Sequence, residues 1–151
     1  MEIRQTRDTL SQVYKDAVRI RNEVFVKEQG VPFSLEMGSP IDEAASVHFV
    51  GYVDSVPVAT VRLLVSNEPV ILQRMAVVSS ERGRGYGKEM LSAVISFAVS
   101  HDLTEILLHA QLTAQTFYEN YGFQPSGTVF EEAGIAHITM TQTFKKLSTD
   151  D

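Results

Sequence analysis

The sequence predicts a mixed α/β fold in which one sheet carries helices on both faces. Short apolar segments rich in β-branched residues recur along the chain and indicate strands, and two longer regions have apolar residues at helical spacing. Three elements follow one another in an informative order: the strand Val70–Val78, the helix Gly85–Ser100 and the strand Leu103–Ala110. Such a crossover predicts a right-handed connection between two parallel strands.

The first half of the chain contains a long helical region and three more predicted strands. Apolar residues recur at helical spacing from Thr9 to Glu28, and the pattern breaks near Arg21, which predicts two helices joined by a kink or short turn. Gly30–Pro40 is rich in Gly, Pro and Ser and is predicted to be a loop with little regular structure. The strands are Glu2–Thr6, Val47–Val53 and Val56–Val65, of which the last two form a hairpin around Asp54-Ser55.

After the crossover, the chain is predicted to close with one helix and two strands. The helix covers Thr113–Tyr121 and ends at Gly122, and the strands cover Phe123–Phe130 and Ala136–Phe144. No repeat or linker divides the sequence, so we expect a single domain at residues 1–147 and a frayed tail at 148–151.

The composition limits the classes of function that the chain can have. With 151 residues and 44% hydrophobic content, the chain can form one core. Its 13 basic and 19 acidic residues give a net charge of −6, which disfavours nucleic acid as a partner. The N-terminus lacks an apolar signal segment and no stretch is long enough to span a membrane, so we expect a soluble cytoplasmic protein without a membrane partner.

The residue types also restrict the chemistry. The absence of Cys excludes disulfides, thiolate metal sites and a cysteine nucleophile. The histidines at 48, 101, 109 and 137 show no paired short spacing with a carboxylate, so we expect no metal.

A glycine-rich run, Arg82-Gly83-Arg84-Gly85-Tyr86-Gly87-Lys88, joins the predicted strand Val70–Val78 to the helix that follows. Backbone amides at such a turn, together with the positive end of the helix dipole, suit a phosphate group. Arg82 stands where a P-loop needs its first glycine, and no count gives the third glycine of a dinucleotide fingerprint. A tight turn without a ligand remains the alternative, and Arg84 and Lys88 could equally be solvated charges.

The pattern Arg82-x-x-Gly85-x-Gly87 resembles the acyl-CoA loop of the GNAT family of N-acetyltransferases. The resemblance continues upstream through Leu72–Val77 and downstream through Ala114–Phe123. Other segments are similar to the ElaA-like or YjcF-like branch of that family, and together they span nearly the whole chain: Arg21–Gln29, Ala45–His48, Ala110-Gln111 and Gly134–Met140.

This resemblance implies an acyl-CoA N-acyltransferase fold, with a mostly antiparallel sheet of six to seven strands and a parallel pair around the cofactor cleft. It implies acetyl-CoA as cosubstrate, bound by a bulge on the strand before the glycine loop, by the loop and by the segment after the next strand. The implied cofactor contacts are Met75, Ala76, Val77, Val78, Arg82, Gly83, Arg84, Gly85, Tyr86, Gly87, Lys88, Gln111, Ala114 and Phe117.

The implied reaction is acetyl transfer to a primary amine by direct attack in a ternary complex. Tyr118 matches the family tyrosine that protonates the CoA thiolate, although its alternative is an aromatic packing residue. Relatives often place the general base on the strand before the bulge, where this chain has Gln73 and Arg74. Six other residues are candidate bases by type, and Glu28 and His137 are preferred: Glu28, Asp42, Glu43, His48, Glu131 and His137.

The acceptor and the assembly follow less directly. The acceptor is expected to be a small amine or a peptide, and a homodimer is expected because this family commonly dimerises.

A binding module that keeps the acyl-CoA cleft without catalysis is the alternative function, supported by the missing base at Gln73. Arg21–Phe25 also resembles a pattern in acyl-homoserine lactone synthases, but the glycine loop and Tyr118 fit the simpler acetyltransferases better.

Overall fold

The computed structural model describes residues 1–145, which form one seven-stranded sheet with helices packed against it. The predicted domain end at residue 147 and the predicted tail at 148–151 lie outside the described residues. The strands are β1 (Glu2–Thr6), β2 (Ser46–Val53), β3 (Val56–Leu64), β4 (Val70–Val77), β5 (Glu105–Gln111), β6 (Gln124–Glu132) and β7 (Ile135–Thr143). The helices are α1 (Gln12–Arg21), α2 (Phe33–Met37), α3 (Pro40–Ala44), α4 (Tyr86–Ser100) and α5 (Gln115–Glu119).

The strand order in the sheet is β1-β2-β3-β4-β5-β7-β6. All neighbouring pairs are antiparallel except β4 and β5, which are parallel and flank the crossover helix α4. The predicted fold class, a mostly antiparallel mixed sheet with one parallel pair, is therefore confirmed.

Helices cover both faces of the central strands. Successive side chains of a strand point to opposite faces, and on β2 His48 makes an edge contact with Tyr14 of α1, whereas Phe49 makes an edge contact with Phe97 of α4. The hairpin between β2 and β3 turns through Asp54 and Ser55, both with positive φ, as a two-residue turn requires.

A bulge interrupts β4 opposite β3. Thr60 pairs with Ala76 and Arg62 pairs with Gln73, so two residues of β4, Arg74 and Met75, face the single residue between them on β3. Arg74 has a φ of 58°, a value that few non-glycine residues adopt. On its other edge β4 pairs with β5 only from Val70 to Leu72. The two strands therefore part where the bulge begins, and the gap between them is the cleft described below.

The segment between α1 and β2 differs from the prediction. The prediction of a loop at Gly30–Pro40 is wrong, because this region contributes α2 and the first residue of α3. Each helix has only five residues, which is too short to show helical periodicity, and buried ion pairs of Glu36 and Glu43 with Arg21 hold them in place.

Two other elements have different boundaries from those predicted. α1 begins at Gln12 because the Ser11 hydroxyl accepts a hydrogen bond from the Tyr14 amide at 3.2 Å, and it continues without a break into a π-helical segment, Asn22–Glu28. The predicted helix Thr113–Tyr121 is a 3₁₀ turn, Leu112–Ala114, followed by the shorter α5. Within residues 1–145, no helix is long and apolar enough to cross a membrane.

Candidate active site

A cleft of about 700 Å³ opens between the parted ends of β4 and β5. One wall is the bulged part of β4, from Gln73 to Val77, and the other is the end of β5 with the start of α5. The π-helical segment and α2 border it on one side, and the β6–β7 turn borders it on the other. Elements that are far apart in sequence therefore meet around a single concave site, as ligand sites usually require.

The glycine loop lies where β4 leads into α4. Gly83 and Gly85 have φ values of 80° and 83°, which glycine adopts without strain. The first helical hydrogen bond of α4 runs from the Glu89 amide to the Gly85 carbonyl at 3.1 Å, so the amides of Tyr86, Gly87 and Lys88 have no acceptor within the helix. Three such amides at a helix N-terminus can bind a phosphate.

Gly85→Ala tests the loop without filling any space. A Cβ on Gly85 has no heavy atom within 4 Å, so the change acts only through the positive φ. We expect CoA to bind about 10-fold more weakly by calorimetry as the loop shifts to relieve about 1–2 kcal/mol of strain. Gly127→Ala on β6 is the matched control, since it has a φ of 84° and equally free space, and its CoA affinity should be unchanged. An equal loss of CoA affinity in both variants would show that the glycine loop has no specific role in cofactor binding.

Arg82 is held by an ion pair that connects the glycine loop to the π-helical segment. Its guanidinium contacts both carboxylate oxygens of Glu28, at 2.5 and 2.7 Å, and its Nε donates to the Val77 carbonyl at 2.9 Å. Hydrogen bonds from Arg82 lower the pKa of Glu28. Glu28 is exposed and does not line the cleft, and a carboxylate already paired in this way is a weak base. Glu28 remains a predicted general base, but its contacts fit better with a role in orienting the Arg82 side chain.

The other predicted cofactor residues divide into three groups. Met75, Ala76, Val77, Gly87, Ala114 and Phe117 line the cleft, and so does Gln111, whose amide donates to the Gln29 side chain at 3.0 Å. Gly83, Arg84, Gly85, Tyr86 and Lys88 lie beyond it in the loop and the first turn of α4. Val78 is buried and donates its amide to the Val58 carbonyl at 2.9 Å, which places it in the core.

Tyr118 lines the cleft from α5 and is 7% exposed. Its ring makes edge contacts with Phe117 and Phe123, at centroid distances of 5.1 and 5.9 Å. Burial raises the pKa of the Tyr118 phenol above its ordinary value, so the group keeps its proton at neutral pH. Its hydroxyl makes no hydrogen bond to any of residues 1–145, which leaves the proton free for a ligand in the cleft.

His137 lies on β7, where it pairs with Gln111 at the end of β5, and its side chain lines the cleft. Its Nδ1 lies 2.7 Å from the Ile135 carbonyl, and because a carbonyl oxygen only accepts hydrogen bonds, Nδ1 carries the proton. In the neutral ring the Nε2 lone pair is therefore free to accept a proton. Glu132 lies 3.7 Å from this nitrogen, close enough to stabilise the imidazolium that would form.

The sequence names Glu131 rather than Glu132 as a candidate base, and it assigns no role to His109. Glu132 also approaches Nδ1 of His109 at 3.3 Å, so its carboxylate lies between two imidazoles. Phe130 stacks on His137 with a centroid distance of 5.9 Å. Alternation along β6 predicts that Phe130 and Glu132 lie on the same face of the strand. Only the register of β6 and β7 shows that Phe130 is opposite His137 and Glu132 opposite Ile135.

A buried arginine–glutamate network lies beside the cleft. It runs as a chain from Arg74 through Glu36, Arg21 and Glu43 to Arg62, with N–O distances of 3.2, 2.7, 2.7 and 2.5 Å. Except for Arg74, every side chain in the network is at most 5% exposed.

Two further contacts complete this network. Arg62 also bonds to Gln73, and the Tyr14 hydroxyl donates to Glu43 at 2.8 Å. Burial raises the pKa of Glu43, but its contacts with Arg21, Tyr14 and Arg62 outweigh burial and hold the pKa below its usual value. Glu43, and His48 beside it, are therefore structural groups, and neither lines the cleft.

Comparison of the sequence identifies the family. Residues 10–144 match the family model of the acetyltransferase (GNAT) domain. The chain is 33% identical to the protein ElaA of Escherichia coli over 138 residues, which cover 89% of each chain. It is 35% identical to the uncharacterized N-acetyltransferase YjcF of Bacillus subtilis over 127 residues, which cover 83% of this chain and 89% of YjcF.

Solved structures agree with the sequence relatives. The crystal structure of Escherichia coli ElaA has a TM-score of 0.84 at 30% identity, covering 94% of this chain and 99% of that one. An acyl-CoA N-acyltransferase from Pseudomonas aeruginosa has a TM-score of 0.83 at 27% identity, covering 95% and 100%. The resemblance to the ElaA-like or YjcF-like branch and the acyl-CoA N-acyltransferase fold are confirmed. The protein is an acyltransferase enzyme, and the chain belongs to the GNAT acetyltransferase family.

Proposed function

We propose that the protein transfers the acetyl group of acetyl-CoA to a primary amine by direct attack in a ternary complex. The observation that carries this proposal is the single cleft in which the bulge of β4, Tyr118 and His137 come together, with the glycine loop at one end. In the reaction the amine nitrogen bonds to the thioester carbonyl carbon and the carbon–sulfur bond breaks. The amine loses a proton, the thiolate gains one, and the products are an amide and CoA.

The glycine loop would bind the pyrophosphate of acetyl-CoA. The amides of Tyr86, Gly87 and Lys88 are available at the start of α4, and the guanidinium of Arg82 lies at the border of the cleft. The pantetheine arm would then follow β4 from Val77 towards the bulge. A bulge leaves its extra residue unpaired in the strand ladder, so an amide near Met75 can donate to the thioester oxygen as negative charge develops there.

Tyr118 and His137, which both line the cleft, would carry the two proton transfers. Tyr118 remains a neutral phenol and can protonate the departing thiolate. Nε2 of His137 can accept the proton of the attacking amine, and Glu132 stabilises the resulting imidazolium. A base on β7 removes the main support for the alternative of a binding module without catalysis, which rests on the missing base at Gln73.

The proposal is tested by acetyl-CoA-dependent thiol release across a panel of primary amines, with a thiol reagent as the readout. The chain has no Cys, so every thiol detected comes from CoA. Release that depends on an acceptor supports the transferase. If folded protein binds CoA by calorimetry but releases no thiol with any amine, the binding module is favoured and the transferase proposal fails.

His137→Gln should lower kcat by about 100-fold, because it removes the nitrogen that accepts the proton. Thiol release at saturating acetyl-CoA measures this effect. His101→Gln is the matched control, since His101 is exposed at the end of α4 and outside the cleft. Glu28→Gln is made in parallel, and a 100-fold loss there with none in His137→Gln would assign the base to Glu28.

A further inference from the structure

The buried arginine–glutamate network carries one positive charge that no carboxylate balances. It contains three guanidinium groups, Arg21, Arg62 and Arg74, and two carboxylates, Glu36 and Glu43. The groups packed against it add no charge: burial raises the pKa of Tyr14 to about 12, burial lowers the pKa of His48, and Gln73 is neutral. Each arginine contacts a carboxylate, but three arginines share two carboxylates, so an anionic ligand beside the network would balance its excess positive charge.

Arg74 is the member of the network that reaches the cleft. Its side chain is 26% exposed, and it lines the cleft beside Glu36. Nε lies 3.2 Å from Glu36 but is buried without a hydrogen bond, and the terminal nitrogens donate to no group within residues 1–145. The terminal edge of this guanidinium is therefore available to a ligand.

The other charged groups of the cleft are already paired. Arg82 is bound by Glu28 on both terminal nitrogens, and Glu132 lies between His109 and His137. Arg82 uses three of its five N–H groups on Glu28 and Val77, whereas the guanidinium of Arg74 makes no hydrogen bond to any of the described residues. Arg74 thus combines unused donors with membership of the network that carries the excess charge.

The position of Arg74 separates it from the cofactor loop. In the proposed complex the pantetheine arm runs along β4 from Val77 to the thioester near Met75. Arg74 precedes Met75 in the bulge, about 10 Å of strand from Val77 and further from the glycine loop. Its neighbours in the cleft include Leu35 and Glu36 of α2, which lie outside the cofactor path. Arg74 consequently borders the space that the acceptor occupies.

We infer that the acceptor is an amine that also carries a carboxylate, and that Arg74 binds this carboxylate while the amine reaches the thioester. The inference rests on the proposed function. The two terminal nitrogens of a guanidinium match the two oxygens of a carboxylate in a planar, bidentate pair. Binding also neutralises the excess charge of the network. Arg74 is accordingly a residue that determines acceptor specificity.

The test compares α-amino acids with the amines that remain after removal of the α-carboxylate, such as lysine with cadaverine and phenylalanine with phenethylamine. Acetylated product is measured by mass spectrometry. We expect kcat/KM for the best amino acid to exceed that for its decarboxylated partner by at least about 10-fold, and Arg74→Gln to remove most of this preference. The KM for acetyl-CoA should stay within about two-fold. Arg74→Gln leaves two arginines and two glutamates in the network, so the variant should fold, as circular dichroism can verify.

Arg19→Gln is the matched control, because Arg19 is exposed on α1 and outside the cleft. Equal or better acetylation of the decarboxylated amines by the wild type would overturn the inference and leave the transferase standing. An equal loss of kcat for both members of each pair in Arg74→Gln would also overturn it, because Arg74 would then act on the thioester. Failure of the proposed function is recognised separately, as CoA binding without acetylation of any amine.

Discussion

Tyr118→Phe is expected to lower kcat by about 1,000-fold while the KM for acetyl-CoA changes by less than about two-fold. The substitution removes only the hydroxyl, which is the group proposed to protonate the thiolate. The ring contacts with Phe117 and Phe123 remain, and no hydrogen bond to residues 1–145 is lost, so stability should be unchanged. Thiol release in steady state measures kcat, and thermal unfolding measures stability.

Tyr121→Phe provides the matched control for this substitution. Tyr121 lies three residues along the chain, its ring also contacts Phe117, and it does not line the cleft. Its kcat should equal that of the wild type. Unchanged turnover in Tyr118→Phe, at unchanged stability, would exclude Tyr118 as the acid and identify it as a packing residue of α5.

Arg21→Ala should cost about 3–5 kcal/mol of unfolding free energy, measured by urea denaturation. Arg21 is 1% exposed and pairs with both Glu36 and Glu43, so its removal leaves two buried carboxylates without that partner. Proteins of this size are stable by only about 5–15 kcal/mol, so this is a large fraction of the total. The position of α2 at the border of the cleft depends on the same ion pairs.

Arg19→Ala on the same helix is the control for Arg21→Ala, and it should change stability by less than about 0.5 kcal/mol.

The loss of stability in Arg21→Ala should also depend on pH. The pKa of Glu43 is lowered in the folded protein, so its contribution is present at neutral pH and is lost as the pH falls through the folded-state value. The difference between Arg21→Ala and the wild type should therefore shrink in acid. A difference no larger than that of Arg19→Ala at neutral pH would contradict the role of the network.

The sheet was predictable because its strands are strongly apolar. β2 and β3 are buried along almost their whole length, which requires the β-branched runs that the sequence shows. The glycine loop was predictable because Gly83 and Gly85 occupy positive φ, where other residues are disfavoured. Local requirements of this kind leave a direct trace in the sequence.

The missed features depend on contacts between distant residues. Arg82 pairs with Glu28 across 54 positions, and Arg21 with Glu36 and Glu43 across 15 and 22. No local pattern records these pairs, so the sequence predicts a loop where α2 lies and does not predict α3. The side-chain contact between Glu132 and His137 likewise depends on the β6–β7 turn at Ala133 and Gly134, because this turn fixes the register of the two strands.

The most direct test of the central claim is a single-turnover experiment with enzyme in excess over acetyl-CoA, in which thiol release and acetylated amine are followed together. Direct transfer in the cleft predicts that both appear at one rate and in equal amounts when the acceptor is present. Without acceptor neither should appear, and intact mass spectrometry should find no acetyl group on the protein. Thiol release at the same rate without acceptor, or an acetylated enzyme that later reacts with the amine, would contradict the proposed ternary complex.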